Sequence, residues 1–274
     1  SESKYEVSNP HPGWSEQNPE DWIHACKLAF LDLRDNFPKE ISKLKSIGVA
    51  GHMHGAVLLD NLHAPVRSCI LWNDTRSHEE ARRLDSLPKV RDISGNIVFP
   101  GFTAPKLLWV KNNEPDIFQK IKTIVLPAGY LNTWLIGEPF ADMSDSAGTS
   151  WLDLKLRKWS EHLIISSDMQ IEQMPKLVEG NQIAGQIRTD LASELGLPSE
   201  VMIVGGAGDN AAAACGVGAI NEGEGLVSLG TSGVLLISRD QCKPFPDAAV
   251  HTFCHAIPDK WYQMGVILSA TDSL

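Results

Sequence analysis

The sequence predicts an α/β fold, and three observations carry that prediction. Short apolar runs alternate with helical stretches over roughly the first two hundred residues. A glycine-dense, polar stretch at 216–225 then interrupts the pattern. After Glu224 the texture changes to strands in succession.

Asn18 caps the first helix and Pro19 opens it, with Trp22, Ala25, Cys26, Ala29 and Leu33 along one face. KSIGVA at 45–50 is a short buried-strand run ending at Gly51, and 57–60 and 70–72 are further strands. Ser77 and Glu80 have capping-box spacing at the start of a helix over 77–87. TAPKLLWVKNN at 103–113 reads as an amphipathic helix. Residues 123–126 form a strand, and Pro127 opens the next helix. A helix over 190–196 closes on glycine and leads into a strand at 201–204. Strands at 226–229, 234–238, 250–256 and 261–268 follow.

The length of 274 residues suggests about two domains. The break at 216–225 divides the chain into a first domain, 1–222, and the start of a second, 223–274. Both ends look cut: opening strands are missing, and the last residues stop as a helix begins. With 43% hydrophobic and 21% charged residues the composition is that of a packed globular protein. The net charge of −10 argues against a nucleic-acid or anionic-membrane partner. No apolar run approaches the ~20 residues of a membrane helix, and the polar N-terminus lacks the features of a signal peptide. Five scattered cysteines without a Cys-x-x-Cys spacing read as reduced thiols of a cytoplasmic protein.

The chemistry concentrates in VMIVGGAGDNAAAACGVGAINEGEGLVSLGTSGVLLIS, 201–238. The first strand breaks on a turn, Gly205-Gly206-Ala207-Gly208, whose N–H groups are expected to lie open to a ligand. Asp209 follows at the start of an alanine-rich helix. A hairpin then turns on Gly230-Thr231-Ser232-Gly233, offering N–H groups and two hydroxyls to phosphate oxygens. Taken singly, Asp209 is most often an N-cap and the turn an ordinary hairpin. Together, a lone acid and a phosphate-cradling turn are the two halves of a phosphoryl-transfer site. Helix start and glycine N–H groups are expected to keep Asp209 ionised.

GFTAPKLLWVKNNEP (101–115), GHMHGAVLLD (51–60), ILWNDTR (70–76), MSDSAGTSWLD (143–153), GGAGDNAAAACG (205–216), SLGTSG (228–233) and VHTFCHA (250–256) resemble, in the same order, the FGGY carbohydrate kinases, nearest to the bacterial-type xylulokinases. The resemblance implies an actin-like, ribonuclease-H-like ATPase duplication, with sugar on the first domain and ATP between the two. It implies that Met53 and His54 contact a ketose, that Asp209 accepts its proton, and that Asn210 is a further sugar contact. Gly230, Thr231, Ser232 and Gly233 match the turn that meets ATP phosphates. ATP, Mg²⁺ and a homodimer are implied with them. The family's N-terminal phosphate loop and C-terminal adenosine loop are absent from the chain, and His52 stands where xylulokinases carry Gln.

Two rival readings remain open on the residues. His52, His54, His251, His255 and Asp209 are a ligand set for a metal-dependent hydrolase. A non-catalytic sugar-binding module is the other. The eight tryptophans lie mostly at apolar-periodic positions and read as core. Lys106 and Arg76 read either as charges orienting the cleft or as solvated or ion-paired residues.

Overall fold

Two parallel strands, distant in sequence, organise the first part of the molecule. Ser46–Gly51 pairs with Met202–Gly208, from Ser46 opposite Met202 to Gly51 opposite Gly208, and Ile183–Gln186 adds an antiparallel edge. The computed structural model describes residues 1–230 and 233–267. Helices Pro19–Asn36, Pro127–Ile136 and Thr189–Leu195 pack around this sheet, burying Leu135, Leu191, Leu195, Val201 and Ile203 together. The first helix starts as its sequence dictates: the Asn18 side chain accepts the N–H of Glu20 at 3.2 Å, and Pro19 fills a position whose N–H has no helical partner.

A second core lies beside it. Val57–Leu59 and Thr123–Val125 pair antiparallel, and helices His78–Asp85 and Thr103–Asn113 close over Leu58, Ile70, Leu107, Leu108, Ile124 and Trp151. Thr103–Asn113 has the expected bounds but is not amphipathic. Thr103, Ala104, Pro105, Lys106, Leu107, Leu108 and Val110 are all buried, so the helix is enclosed rather than laid on a surface. The capping box at Ser77 does not form; its hydroxyl donates instead to the Pro100 carbonyl at 3.0 Å.

The glycines at 205–208 do not make a turn. Met202–Gly208 runs through them as one strand, with a register shift against Ser46–Gly51 between Val204 and Ala207. Gly206 sits at φ +80°, and a Cβ there would lie 2.1 Å from the Val49 carbonyl oxygen. A Cβ on Gly205 would lie 2.2 Å from that of Glu179. These glycines therefore permit a bulge and close backbone approach. Their N–H groups are committed internally: Gly205 to Gln182 O at 3.0 Å, Gly206 to Gly180 O at 3.0 Å and Gly208 to Ser144 Oγ at 2.9 Å.

Beyond Glu224 the strands form one antiparallel sheet in the order Gly225–Leu229, Gly233–Arg239, Trp261–Ile267, His251–Cys254. The first two are the hairpin arms expected around residues 230–233, with Leu229 opposite Gly233. Thr231 and Ser232 themselves lie outside the described residues, as does the predicted strand end at 268. One face of this sheet shares a core with the preceding residues: Leu236, Phe253, Tyr262 and Met264 pack with Met53, Phe102, Ala207 and Ala211. Asn96 and Thr252 exchange side-chain–backbone hydrogen bonds of 2.8 and 2.9 Å. Arg157 forks onto Glu179 at 3.0 and 2.6 Å and donates to the Lys260 carbonyl at 2.9 Å. The opposite face presents Val227, Leu229, Leu235 and Ile267, which are 63, 70, 52 and 64% exposed. Among the described residues no helix is long and apolar enough to cross a membrane.

Candidate active site

The parallel pairing brings the motifs at 51–60 and 205–216 to one place. Gly51 and Gly208 are register partners at the carboxyl ends of neighbouring strands, so Met53 and His54 leave one strand beside Asp209 and Asn210 leaving the next. Carboxyl ends of adjacent parallel strands are where open α/β sheets bind ligands. Met53 fills the space between them. It is buried, and a Cβ on Gly208 would lie 3.0 Å from its Cγ and Sδ. The Tyr262 hydroxyl reaches the same sulfur at 3.6 Å.

His54 is held on every side. Its backbone adopts φ +70°, a conformation a non-glycine residue keeps only when its surroundings enforce it. Thr103 Oγ1 and Lys106 Nζ donate to its carbonyl at 3.1 and 2.8 Å. The imidazole stacks on Phe102 with centroids 4.6 Å apart. Its Nδ1 lies 2.7 Å from the Gly148 carbonyl oxygen, which can only accept, so Nδ1 carries the proton and Nε2 is left as an acceptor. Burial pulls the pKa down to about 3, against the Gly148 hydrogen bond and with the charges of Lys106, His251 and His52. The ring is neutral at physiological pH. Gly148 has to be glycine, since a Cβ would sit 2.6 Å from the imidazole.

Asp209 is not the N-cap of its helix. Gly208 holds that position without a side chain, and Asp209 is the first helical residue of Asp209–Gly216. Its Oδ1 accepts from the N–H and the amide of Asn210 at 2.8 and 3.1 Å. The residue is solvent-exposed, yet enough protein stands around it that desolvation raises the carboxyl pKa, opposed by the Asn210 bonds. The glycine N–H groups expected to help hold it ionised are engaged elsewhere and do not oppose this shift. Two further carboxyls lie behind it. Asp142 and Asp145 are buried, and Asp145 is pushed well above the ordinary range by desolvation and then by the charges of Asp142 and Asp209.

Lys106 and Arg76 have different fates. Lys106 is fully buried and spends its ammonium on two carbonyls, of His54 and, at 2.7 Å, of Gly101. Arg76 is bound to Asp74 at 2.9 and 2.7 Å, pairs with Glu16 at 2.7 Å and lies 3.6 Å over the Trp14 ring. It is structural, as Trp14 and Trp109 around it are. Burial also draws His52, His251 and His255 down to about 4. His54 Nδ1 is committed to Gly148, and among the described residues no three His, Cys, Asp or Glu side chains group so as to hold a metal ion. The hydrolase ligand set therefore does not assemble.

The sequence missed the roles of Gly148, Phe102 and Ser144. Gly148 and Ser144 fall inside the 143–153 motif, but nothing local assigns them a partner.

The model of the FGGY family of carbohydrate kinases, N-terminal domain, matches residues 1–216. Xylulose kinase of Escherichia coli K12 is 45% identical over 272 residues, spanning 99% of this chain and 56% of that protein. The crystal structure of a xyloylose kinase from Brucella ovis superimposes with a TM-score of 0.97 at 56% identity, covering 98% of this chain and 56% of that one. Plasmodium falciparum glycerol kinase with ADP shares the fold at a TM-score of 0.89 and 20% identity, covering 99% of this chain and 56% of that one. The chain spans about half the length of the curated relatives it matches. Its fold is correspondingly about half of the actin-like ATPase fold of these sugar kinases. The chain belongs to the FGGY family of carbohydrate kinases.

Proposed function

We propose that the protein carrying this chain is an ATP-dependent sugar kinase that transfers the γ-phosphoryl group to a pentulose hydroxyl, D-xylulose giving D-xylulose 5-phosphate. The observation that carries this reading is the meeting of Met53–His54 and Asp209–Asn210 at the ends of two paired strands. It is supported by the relatives named xylulose kinase, of which the chain is 45% identical to one.

In this reading Asp209 takes the proton of the attacking hydroxyl as the new P–O bond forms. A positioned base of this type contributes on the order of 10²–10⁴ in rate. The neutral His54 accepts a second sugar hydroxyl at Nε2, and the Asn210 amide is a further contact. The hairpin turn Gly230-Thr231-Ser232-Gly233 is the proposed contact for ATP phosphates. Mg²⁺ would arrive on the nucleotide and neutralise phosphate charge; no cage of protein side chains is grouped for it among the described residues. We assign residues 1–222 to a sugar-binding domain and 223–274 to the start of a nucleotide-binding one. Closure about 216–225 would exclude water from the transfer. The homodimer and the cytoplasmic setting rest on resemblance and cysteine usage.

The test is Asp209→Asn in the full-length protein, assayed by ADP release with D-xylulose, other pentuloses, glycerol and gluconate. The amide keeps the hydrogen-bonding shape but cannot take the proton, so turnover is expected to vanish while sugar binding stays within several-fold. Activity within about tenfold of the parent removes Asp209 from the base role.

A further inference from the structure

Behind Asp209 runs a buried polar relay that the proposed transfer does not itself use. Strand Phe140–Asp142 ends in a short helix, Met143–Ser146, packed against Met202–Gly208. Oδ1 of Asp142 accepts three hydrogen bonds, from the N–H groups of Ser144 and Asp145 at 2.9 and 3.0 Å and from the Ser144 hydroxyl at 2.5 Å. With its proton so engaged, Ser144 Oγ presents a lone pair to the N–H of Gly208 at 2.9 Å. The direction of this chain is fixed, because an amide N–H only donates and a carboxylate only accepts. Asp142 and Ser144 are 2 and 0% exposed, so water does not compete for these bonds.

Gly208 is the residue from which Asp209 departs, and as the helix N-cap it brings no side chain of its own. The strand-to-helix junction is thus oriented from a different element of the fold. We propose that Asp142 and Ser144 are positioning residues for Asp209, fixing the Gly208 N–H and through it the direction in which the Asp209 carboxylate faces the sugar. Asp145 completes the arrangement. It is buried, its Oδ1 has no hydrogen-bond partner, and burial, then the charges of Asp142 and Asp209, push its carboxyl well above the ordinary range.

This inference rests on the reading of Asp209 as proton acceptor, and its test separates the two. Three substitutions are made in the full-length protein: Ser144→Ala, Asp142→Ala and Asp142→Asn. Asparagine keeps an Oδ1 acceptor for all three bonds, whereas alanine removes it. Ser144→Ala and Asp142→Ala are expected to lower kcat on the order of ten- to a hundredfold with KM for D-xylulose within about threefold, while Asp142→Asn retains most of the parent kcat. Amide exchange at Gly208 should quicken, and the Asp209 carboxyl titration followed by NMR should move, in the two alanine variants only. An unchanged kcat and Gly208 exchange in Ser144→Ala, or equal damage from Asp142→Asn and Asp142→Ala, overturns the proposal. Should the parent turn over no sugar, the functional reading falls. The exchange and titration measurements then still decide whether the relay positions Asp209.

Discussion

Replacing Lys106 by methionine should change how the stability of the chain depends on pH. Lys106 is fully buried and donates to the carbonyls of His54 and Gly101 at 2.8 and 2.7 Å. Desolvation, reinforced by Arg76 and opposed by Cys69 and Asp74, draws its pKa from 10.5 to about 7. The unfolded chain holds the proton up to 10.5 while the folded one gives it up near 7. Between those values the unfolded state binds more protons, so stability rises with pH across the window. The burial cost is fully present below pH 7, on the order of 5 kcal/mol, and is relieved at up to ~1.4 kcal/mol per pH unit above it. Methionine fills a similar volume without a charge. It leaves the Gly101 carbonyl without this donor, at about 1–3 kcal/mol, while Thr103 still serves His54. Lys106→Met is therefore expected to be at least as stable as the parent at pH 6. By pH 9 the parent should have gained about 3 kcal/mol on it. Denaturant unfolding at pH 6, 7.5 and 9 reads this directly. A difference between the two proteins that stays constant with pH would refute the lowered pKa of this buried lysine.

Two other outcomes follow from the site and the sheet. His54→Ala in the full-length protein should raise KM for D-xylulose by the equivalent of about 1–3 kcal/mol with KM for ATP nearly unchanged. Equal loss for both substrates would instead mark a folding defect. The apolar face made by Val227, Leu229, Leu235 and Ile267 should drive self-association of the 274-residue chain as concentration rises, and Leu235→Lys should reduce it. Sedimentation velocity of the chain and its variant would show one monomeric species throughout if that face were inert.

Much of this molecule is legible locally. The cap at Asn18, the bounds of Thr103–Asn113, the apolar run before Gly51 and the hairpin arms around 230–233 are all dictated by neighbouring residues, through propensity, capping and periodicity. The resemblance carried by the motifs at 51–60 and 205–216 also nominated the candidate site residues, because such motifs are contiguous in sequence. What the sequence does not carry is partnership. Only the folded chain pairs Gly51 with Gly208 across more than 150 positions, and that pairing makes two motifs into one candidate site. Periodicity reports that a strand is there, not which strand lies beside it, and Ser46–Gly51, expected to be buried, alternates exposed and half-buried residues. The glycines at 205–208 look like an open anion turn until Val49 and Glu179 are seen against them. Lys106 looks like a surface cation until the layer over Thr103–Asn113 is in place. Ser144 is an unremarkable serine until Asp142 claims its proton and Gly208 its lone pair. In each case a hydrogen-bonding group is assigned its role by a long-range neighbour, and only tertiary structure supplies that neighbour.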